Sequence, residues 1–203
     1  MKVKSSFFQR HPVLKDGLGL VGFVVAVVIG TLILNNFVFR SYNVVGHSMD
    51  STLYEGDRIL VNRLPVTMAH LQRKEYVPKR GQIIVFANPN FTSGGRDRFI
   101  IKRVLAFEGE RVTVKDGNIT VFNDERPFPY GFNPDDELGI ELGVSTSGEI
   151  DMIVPRNEVF VAGDNREGSN SHDSRNGLGT VPLYDIIGPA GVRFFPFDRI
   201  RGF

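Results

Sequence analysis

Two side chains draw attention for the chemistry they could perform together: Ser48 in GHSMDSTLYEGDRILVNR and Lys102 in FIIKRVLAFEGE. A serine hydroxyl is a weak nucleophile until a neighbouring base takes its proton. Ser48 alone carries little weight, because a serine between glycine and polar residues is ordinarily a loop or capping residue. Lys102 interrupts an apolar, strand-like run, and strand alternation puts it on one face with Ile100 and Val104. If that face is buried, desolvation disfavours the ammonium form. Bringing a lysine pKa from about 10.4 to near 8 takes roughly 3 kcal/mol, an amount burial can supply. The neutral amine could then accept the Ser48 proton. The competing reading is a lysine that snorkels to the surface or pairs with a carboxylate.

A third segment, VFVAGDNREGSNSHDSRNGLGTVP, follows a strand-like run and is rich in Gly, Asn, Ser and Asp, the composition of loops that line sites on β scaffolds. His47 beside Ser48 and His172 beside Asp173 raise a Ser-His-Asp triad as an alternative. Consecutive side chains in an extended segment face opposite ways, so His47 should point away from Ser48 and a triad would need His172. GHSMD also lacks the last glycine of G-x-S-x-G. The absence of cysteine excludes a thiol nucleophile, disulfides and Cys-ligated metal.

The elements that must hold these residues divide in two. Residues 17–39 are uncharged and include LGLVGFVVAVVIGTLIL, about 35 Å of helix at 1.5 Å per residue, enough to span a bilayer. A cleavable signal peptide is the alternative, but its apolar region is usually about 7–15 residues and ends at a small-x-small site. Here the run is longer and LNNFVFRSY follows, so a permanent anchor is expected. Net charge is +1, yet residues 1–40 carry +4 from Lys2, Lys4, Arg10, Lys15 and Arg40 against Asp16. The positive-inside rule then makes 1–16 a short cytoplasmic segment and 40–203 an extracytoplasmic domain. No basic stripe or nucleic-acid motif appears beyond the anchor, which speaks against DNA or RNA binding.

Past the anchor, SYNVV, RILVN, QIIVFA, FIIKRVLA, RVTVK, NITVF, EIDMIV, EVFVAG and DIIGPAGVRFF, punctuated by Gly, Pro, Asn and Asp, predict a mostly β domain. Asp116-Gly117 in RVTVKDGNITVF predicts a hairpin. A short helix is expected over 64–75, and a long surface excursion over 127–148.

Taken in order, GHSMDSTL, GDRILV, KRGQIIVF with FIIKRVLAFEGE, then GDN and SHDSR, resemble the bacterial type I signal peptidases, serine proteases with a Ser/Lys dyad. The resemblance covers most of 18–62, 79–111 and 158–195. It implies an N-terminal transmembrane helix followed by an all-β catalytic domain, and a single-pass cell-membrane enzyme needing no metal or cofactor. It makes Ser48 the nucleophile, Lys102 the general base and Ser171 the residue that orients the lysine amine. Asp173, Arg175, Gly163 and Asp164 become structural residues near the site. The implied substrates are exported preproteins with small residues at positions −3 and −1, met beside the protein export machinery. Val44, Met49 and Ile84 are candidate substrate contacts, each equally readable as core.

The backbone N–H of Ser48 would donate to the oxyanion. Gly46 stands where the family can add a hydroxyl donor, and glycine there fits the single-anchor branch. Ser51 replaces the family's proline, so Ser51→Pro is expected to be tolerated and to stabilise modestly by narrowing the unfolded ensemble. Gln82 and Glu110 replace aspartates, and the GDN loop is two residues longer before Ser171. Two other functions stay open: a specialised or self-cleaving Ser/Lys protease, and an inactive, membrane-tethered β-domain binding module.

Overall fold

The computed structural model describes residues 12–92 and 98–203, so the first eleven residues of the expected cytoplasmic segment, with Lys2, Lys4 and Arg10, lie outside the described residues. The chain forms two compact units, residues 1–38 and 39–203.

The first unit holds α1 (Pro12–Ile33), which runs on into a π-helical turn, Leu34–Val38. Asp16–Val38 is long and apolar enough to cross a membrane.

The second unit is built from antiparallel strands: β1 (Phe39–Asn43), β2 (Arg58–Asn62), β3 (Ile83–Ala87), β4 (Phe99–Phe107), β5 (Arg111–Lys115), β6 (Asn118–Phe122), β7 (Ile150–Ile153), β8 (Glu158–Ala162), β9 (Val181–Pro182), β10 (Ile186–Phe195) and β11 (Arg201–Gly202). One sheet runs β1-β2-β10-β3-β4-β8-β9 with β11 on β10, and a smaller one runs β6-β5-β7. The expected all-β architecture is therefore present. β5 and β6 form the predicted hairpin, with Asp116 (φ 51°) and Gly117 (φ 81°) in the left-handed region that a tight two-residue turn requires.

Apolar runs on β3, β4 and β8 fill the cores. Ile84, Phe86, Ile100, Val104 and Val161 share one cluster. Val44, Met49, Leu53, Ile59 and Val85 share another. Leu105, Val112, Val121 and Phe160 join the small sheet to the large one.

Two predicted segments differ in extent. Helix α2 covers only Leu64–Leu71, because Arg73 adopts φ 56° and the chain leaves the helix there. The 127–148 excursion is more than a solvated loop. Phe132 bridges to Val121, and α3 (Pro134–Glu137) is capped by the Asn133 side chain accepting from the Asp135 N–H at 2.9 Å. Asp135 is buried against a distant arginine of the candidate site.

Candidate active site

Ser48 lies in the turn that leaves β1, beside two anchors in the core, Met49 and Leu53, which are both fully buried. Those anchors and the hydrogen bonds Thr52 N–H to Met49 O (3.0 Å) and Leu53 N–H to Met49 O (2.8 Å) leave the half-buried Ser48 side chain little freedom. Lys102 lies mid-strand in β4, opposite Ile84 of β3, and is only 3% exposed. Its Nζ donates to Ser48 Oγ at 2.6 Å and to the Ile101 carbonyl at 2.8 Å. The lysine is therefore buried on its strand face as the alternation of Ile100, Lys102 and Val104 anticipates, and it does not snorkel.

The two side chains open onto a cleft of about 500 Å³ whose apolar walls include Tyr42, Val44, Ile59, Val85, Phe99 and Ile101. Val44 thus lines the cleft. Met49 and Ile84 do not line the cleft. Both are fully buried core residues, Met49 turned under the turn that carries Ser48 and Ile84 packed with Phe86 and Val104.

His47 and His172 line the cleft but do not bond to Ser48. His47 is exposed and bonds Asp50 Oδ2 at 3.1 Å, while His172 Nδ1 meets the Asn176 carbonyl at 3.0 Å. Neither ring is hydrogen-bonded to Ser48, so among the described residues no Ser-His-Asp triad is formed by His47 or His172.

The loop after β8 is held by a set of buried Arg–Asp pairs. Arg103 of β4 binds Asp164 through two hydrogen bonds of 2.8 and 2.6 Å. Arg166, wholly buried, binds Asp135 at 2.6 and 2.8 Å and donates to the Gly163 carbonyl at 2.6 Å. Arg175 binds Asp173, which also accepts from the Gly163 N–H at 2.9 Å. Gly163 is thereby gripped at both its N–H and its carbonyl. It has no room for a side chain: a Cβ there would overlap the Ser171 side chain and the Ser48 carbonyl oxygen. A fourth pair, Arg193 with Asp57 at 3.0 Å, secures the far end of the Ser48 turn, where Arg193 also donates to the Thr52 carbonyl.

Burial pushes the Asp173 carboxyl up. The hydrogen bonds and charge of Arg175, the Ser171 hydroxyl and the Gly163 N–H outweigh that push and hold the carboxyl below its ordinary range. A carboxyl depressed in the folded state contributes stability above its unfolded pKa, and that stability is lost as pH falls through the folded one. Asp173→Asn should therefore flatten the acid limb of the stability–pH curve, and should cost about 3–5 kcal/mol at neutral pH by stranding Arg175. Denaturation midpoints of both proteins, taken from neutral pH down into the acid range, check this.

Ser171 lies fully buried beside this network. Its Oγ meets no partner in good hydrogen-bond geometry among the described residues, the Lys102 amine included, and the acceptor beside it is the Asp173 carboxylate, which it helps to hold ionised.

The positions that depart from the family's preference have local explanations. Gln82 Oε1 accepts from the Tyr76 hydroxyl (2.9 Å) and the Lys79 N–H (3.0 Å), closing the turn before β3. Glu110 accepts from Arg80 at 3.0 and 2.6 Å and from the Phe107 N–H at 2.8 Å. Gly46 has φ 84°, a conformation that a hydroxyl-bearing residue would adopt only under strain.

Ser51 overturns an expectation. Its φ is 84°, whereas proline is fixed near −65°, so Ser51→Pro cannot be accommodated. We expect Ser51→Pro to destabilise by about 3 kcal/mol and Ser51→Gly to stabilise by about 1 kcal/mol, read as shifts of the unfolding midpoint.

Asn165 of GDN, to which the sequence assigns no role, is bonded to the turn that carries Ser48. Its N–H donates to the Ser48 carbonyl at 3.1 Å and its Nδ2 to the His47 carbonyl at 3.0 Å.

A family model described as signal peptidase, peptidase S26, matches residues 18–195. Signal peptidase I P of Bacillus subtilis subsp. natto is 33% identical over 202 residues, spanning 99% of this chain and 98% of that protein. Signal peptidase I T of Bacillus subtilis (strain 168) is 33% identical, covering 88% of this chain and 85% of that one. Signal peptidase I of Bacillus amyloliquefaciens is 34% identical, with 88% and 87% covered. A crystal structure of a signal peptidase I from Enterococcus faecalis V583 aligns with 56% of this chain and 96% of its own at 22% identity and a TM-score of 0.38. With a family model spanning most of its length and relatives matched almost end to end, this chain belongs to the signal peptidase family, peptidase S26.

Proposed function

We propose that the chain is a serine endopeptidase that removes signal peptides from exported preproteins, with Ser48 as nucleophile and Lys102 as general base. The observation that carries this reading is the 2.6 Å contact between Lys102 Nζ and Ser48 Oγ at the edge of an apolar cleft. Burial favours the neutral form of an amine, and a neutral amine accepts the Ser48 proton along that same line.

The Ser48 oxygen then adds to the scissile carbonyl. Negative charge develops on the carbonyl oxygen, where the Ser48 N–H, which has no acceptor among the described residues, can donate to it. The ammonium passes its proton to the departing amine as the C–N bond breaks. The amine next takes a proton from water as the water oxygen adds to the acyl carbon, and the ammonium returns that proton to Ser48 Oγ as the Oγ–C bond breaks, restoring the hydroxyl and the neutral amine.

Small side chains at −3 and −1 suit the shallow apolar walls around Val44, and an extended substrate can offer alternate side chains to them. The apolar span and the basic residues before it support a single-pass anchor in the cell membrane, with its N-terminus cytoplasmic and the β domain on the outer side, close to the export machinery.

The test is cleavage of a secretory precursor by the detergent-solubilised chain, with Ser48→Ala alongside. The wild type should release the mature protein and Ser48→Ala should not. Cleavage by Ser48→Ala would exclude the nucleophile, and an intact precursor with both proteins would favour the binding-module reading.

A further inference from the structure

We infer that Asn165 is a positioning residue that aims the oxyanion-binding N–H of Ser48, an inference that rests on the reading of Ser48 as nucleophile. A peptide unit is planar and trans, so the His47 carbonyl and the Ser48 N–H belong to one rigid plate and point in opposite directions. Whatever holds the carbonyl sets the direction of the N–H. The His47 carbonyl accepts from the Asp50 N–H at 3.2 Å within the turn and from Asn165 Nδ2 at 3.0 Å, the amide being its bond to the loop after β8. The Asn165 backbone N–H donates to the next carbonyl, that of Ser48, at 3.1 Å. Two successive peptide plates, one on each side of the nucleophile's Cα, are therefore bonded to a single residue.

The amide itself is oriented. Asn170 Nδ2 donates to Asn165 Oδ1 at 3.4 Å, which leaves Nδ2 as the donor toward His47. The backbone of Asn165 is in turn held between Asp164, paired with Arg103, and Arg166, paired with Asp135. The chain of contacts thus runs from the buried ion pairs through one side-chain amide to the peptide plate that carries the proposed oxyanion donor. No second hydroxyl donor is available at Gly46, so this N–H carries more of the oxyanion's stabilisation and its direction matters more.

Lys102 is untouched by this arrangement, because its amine reaches Ser48 from β4, on a different segment. Loss of the Asn165 amide should therefore weaken stabilisation of the tetrahedral oxyanion while leaving proton transfer and ground-state binding in place.

Three variants of the full chain in detergent test this: Asn165→Asp, nearly isosteric but unable to donate when ionised, Asn165→Ala, and Asn170→Ala, which frees only the amide's orientation. For both Asn165 variants kcat should fall roughly 10- to 100-fold with KM within about twofold of wild type. The pH at which activity reaches half its plateau should not move. Affinity for a peptide aldehyde, whose adduct with Ser48 carries the oxyanion, should fall by the same factor as kcat/KM, while affinity for the matching peptide acid holds. Asn170→Ala should show the same pattern more weakly.

Unchanged kcat in the Asn165 variants, or a loss that appears in KM, overturns the inference. If the Asn165 variants fail to fold while Asn170→Ala keeps full kcat and aldehyde affinity, it is overturned as well, because the residue is then purely structural. Cleavage by Ser48→Ala would instead remove the nucleophile reading beneath it, so the two failures are distinguishable.

Discussion

Lys102→Met is expected to reduce precursor cleavage by at least about 10³-fold without lowering the unfolding midpoint at pH 7. Methionine matches the length and apolar stem of lysine, so the packing around this 3% exposed position survives. What disappears is the amine that contacts Ser48 Oγ. Burying an amine favours its neutral form, so a protonated Lys102 is a cost to the folded state at neutral pH, and that cost fades as pH rises and the proton leaves the unfolded chain too. Removing the amine therefore should not destabilise the fold at pH 7. Wild-type kcat/KM should climb with pH as the amine loses its proton and then level off. An inactive variant that is clearly less stable at pH 7 would mean that Lys102 is a charged structural partner. Midpoints at about pH 7 and about pH 10, measured beside a cleavage assay, separate the two outcomes.

Gly163→Ala is the second large effect, and it acts through geometry alone. The added methyl would enter space already filled by the Ser48 carbonyl oxygen and the Ser171 side chain. Ser171 is fully buried, so its side chain has packed neighbours on every side, and the Ser48 carbonyl could yield only by moving the turn that carries it. Gly163 cannot retreat, since its N–H is bonded to Asp173 and its carbonyl to Arg166. A displacement of about 1 Å at the nucleophile costs roughly 100-fold in rate, and overpacking a rigid site costs about 1–3 kcal/mol. Cleavage should therefore fall at least about 100-fold, with the unfolding midpoint lowered but the fold intact by circular dichroism. Near-wild-type activity would mean that the turn is more yielding than the structure implies.

The parts of the molecule legible in the sequence were those written in local pattern. The apolar run of α1, the Asp116-Gly117 hairpin and the alternation that buries Lys102 each depend on neighbours a few residues away. Residue type and strand alternation suggest Ser48 and Lys102 as partners, but nothing local brings together two residues 54 positions apart, and the family resemblance is what gives that pairing its weight.

What escaped was set by distance or by backbone angle. Asp135–Arg166 and Asp57–Arg193 join residues 31 and 136 positions apart, and their members read locally as ordinary surface charges. The positive φ of Ser51 is invisible in its side chain, so the family's proline looked harmless there. Met49 and Ile84 are apolar residues near the site, and only the turn and the strand pairing decide that they face the core. Asn165 alone could have been found, since it stands between Asp164 and Arg166 in a motif already singled out.

The most direct measurement is the site of acylation. The full chain is incubated with a slowly hydrolysed peptide ester carrying alanine at −3 and −1, quenched in acid, digested and read by mass spectrometry. Acyl transfer by a Ser48/Lys102 pair predicts an adduct on Ser48 in the wild type, forming faster as pH rises, and none above background in Lys102→Met. An adduct on another residue, or one that accumulates on Ser48 equally fast without the lysine, would contradict it.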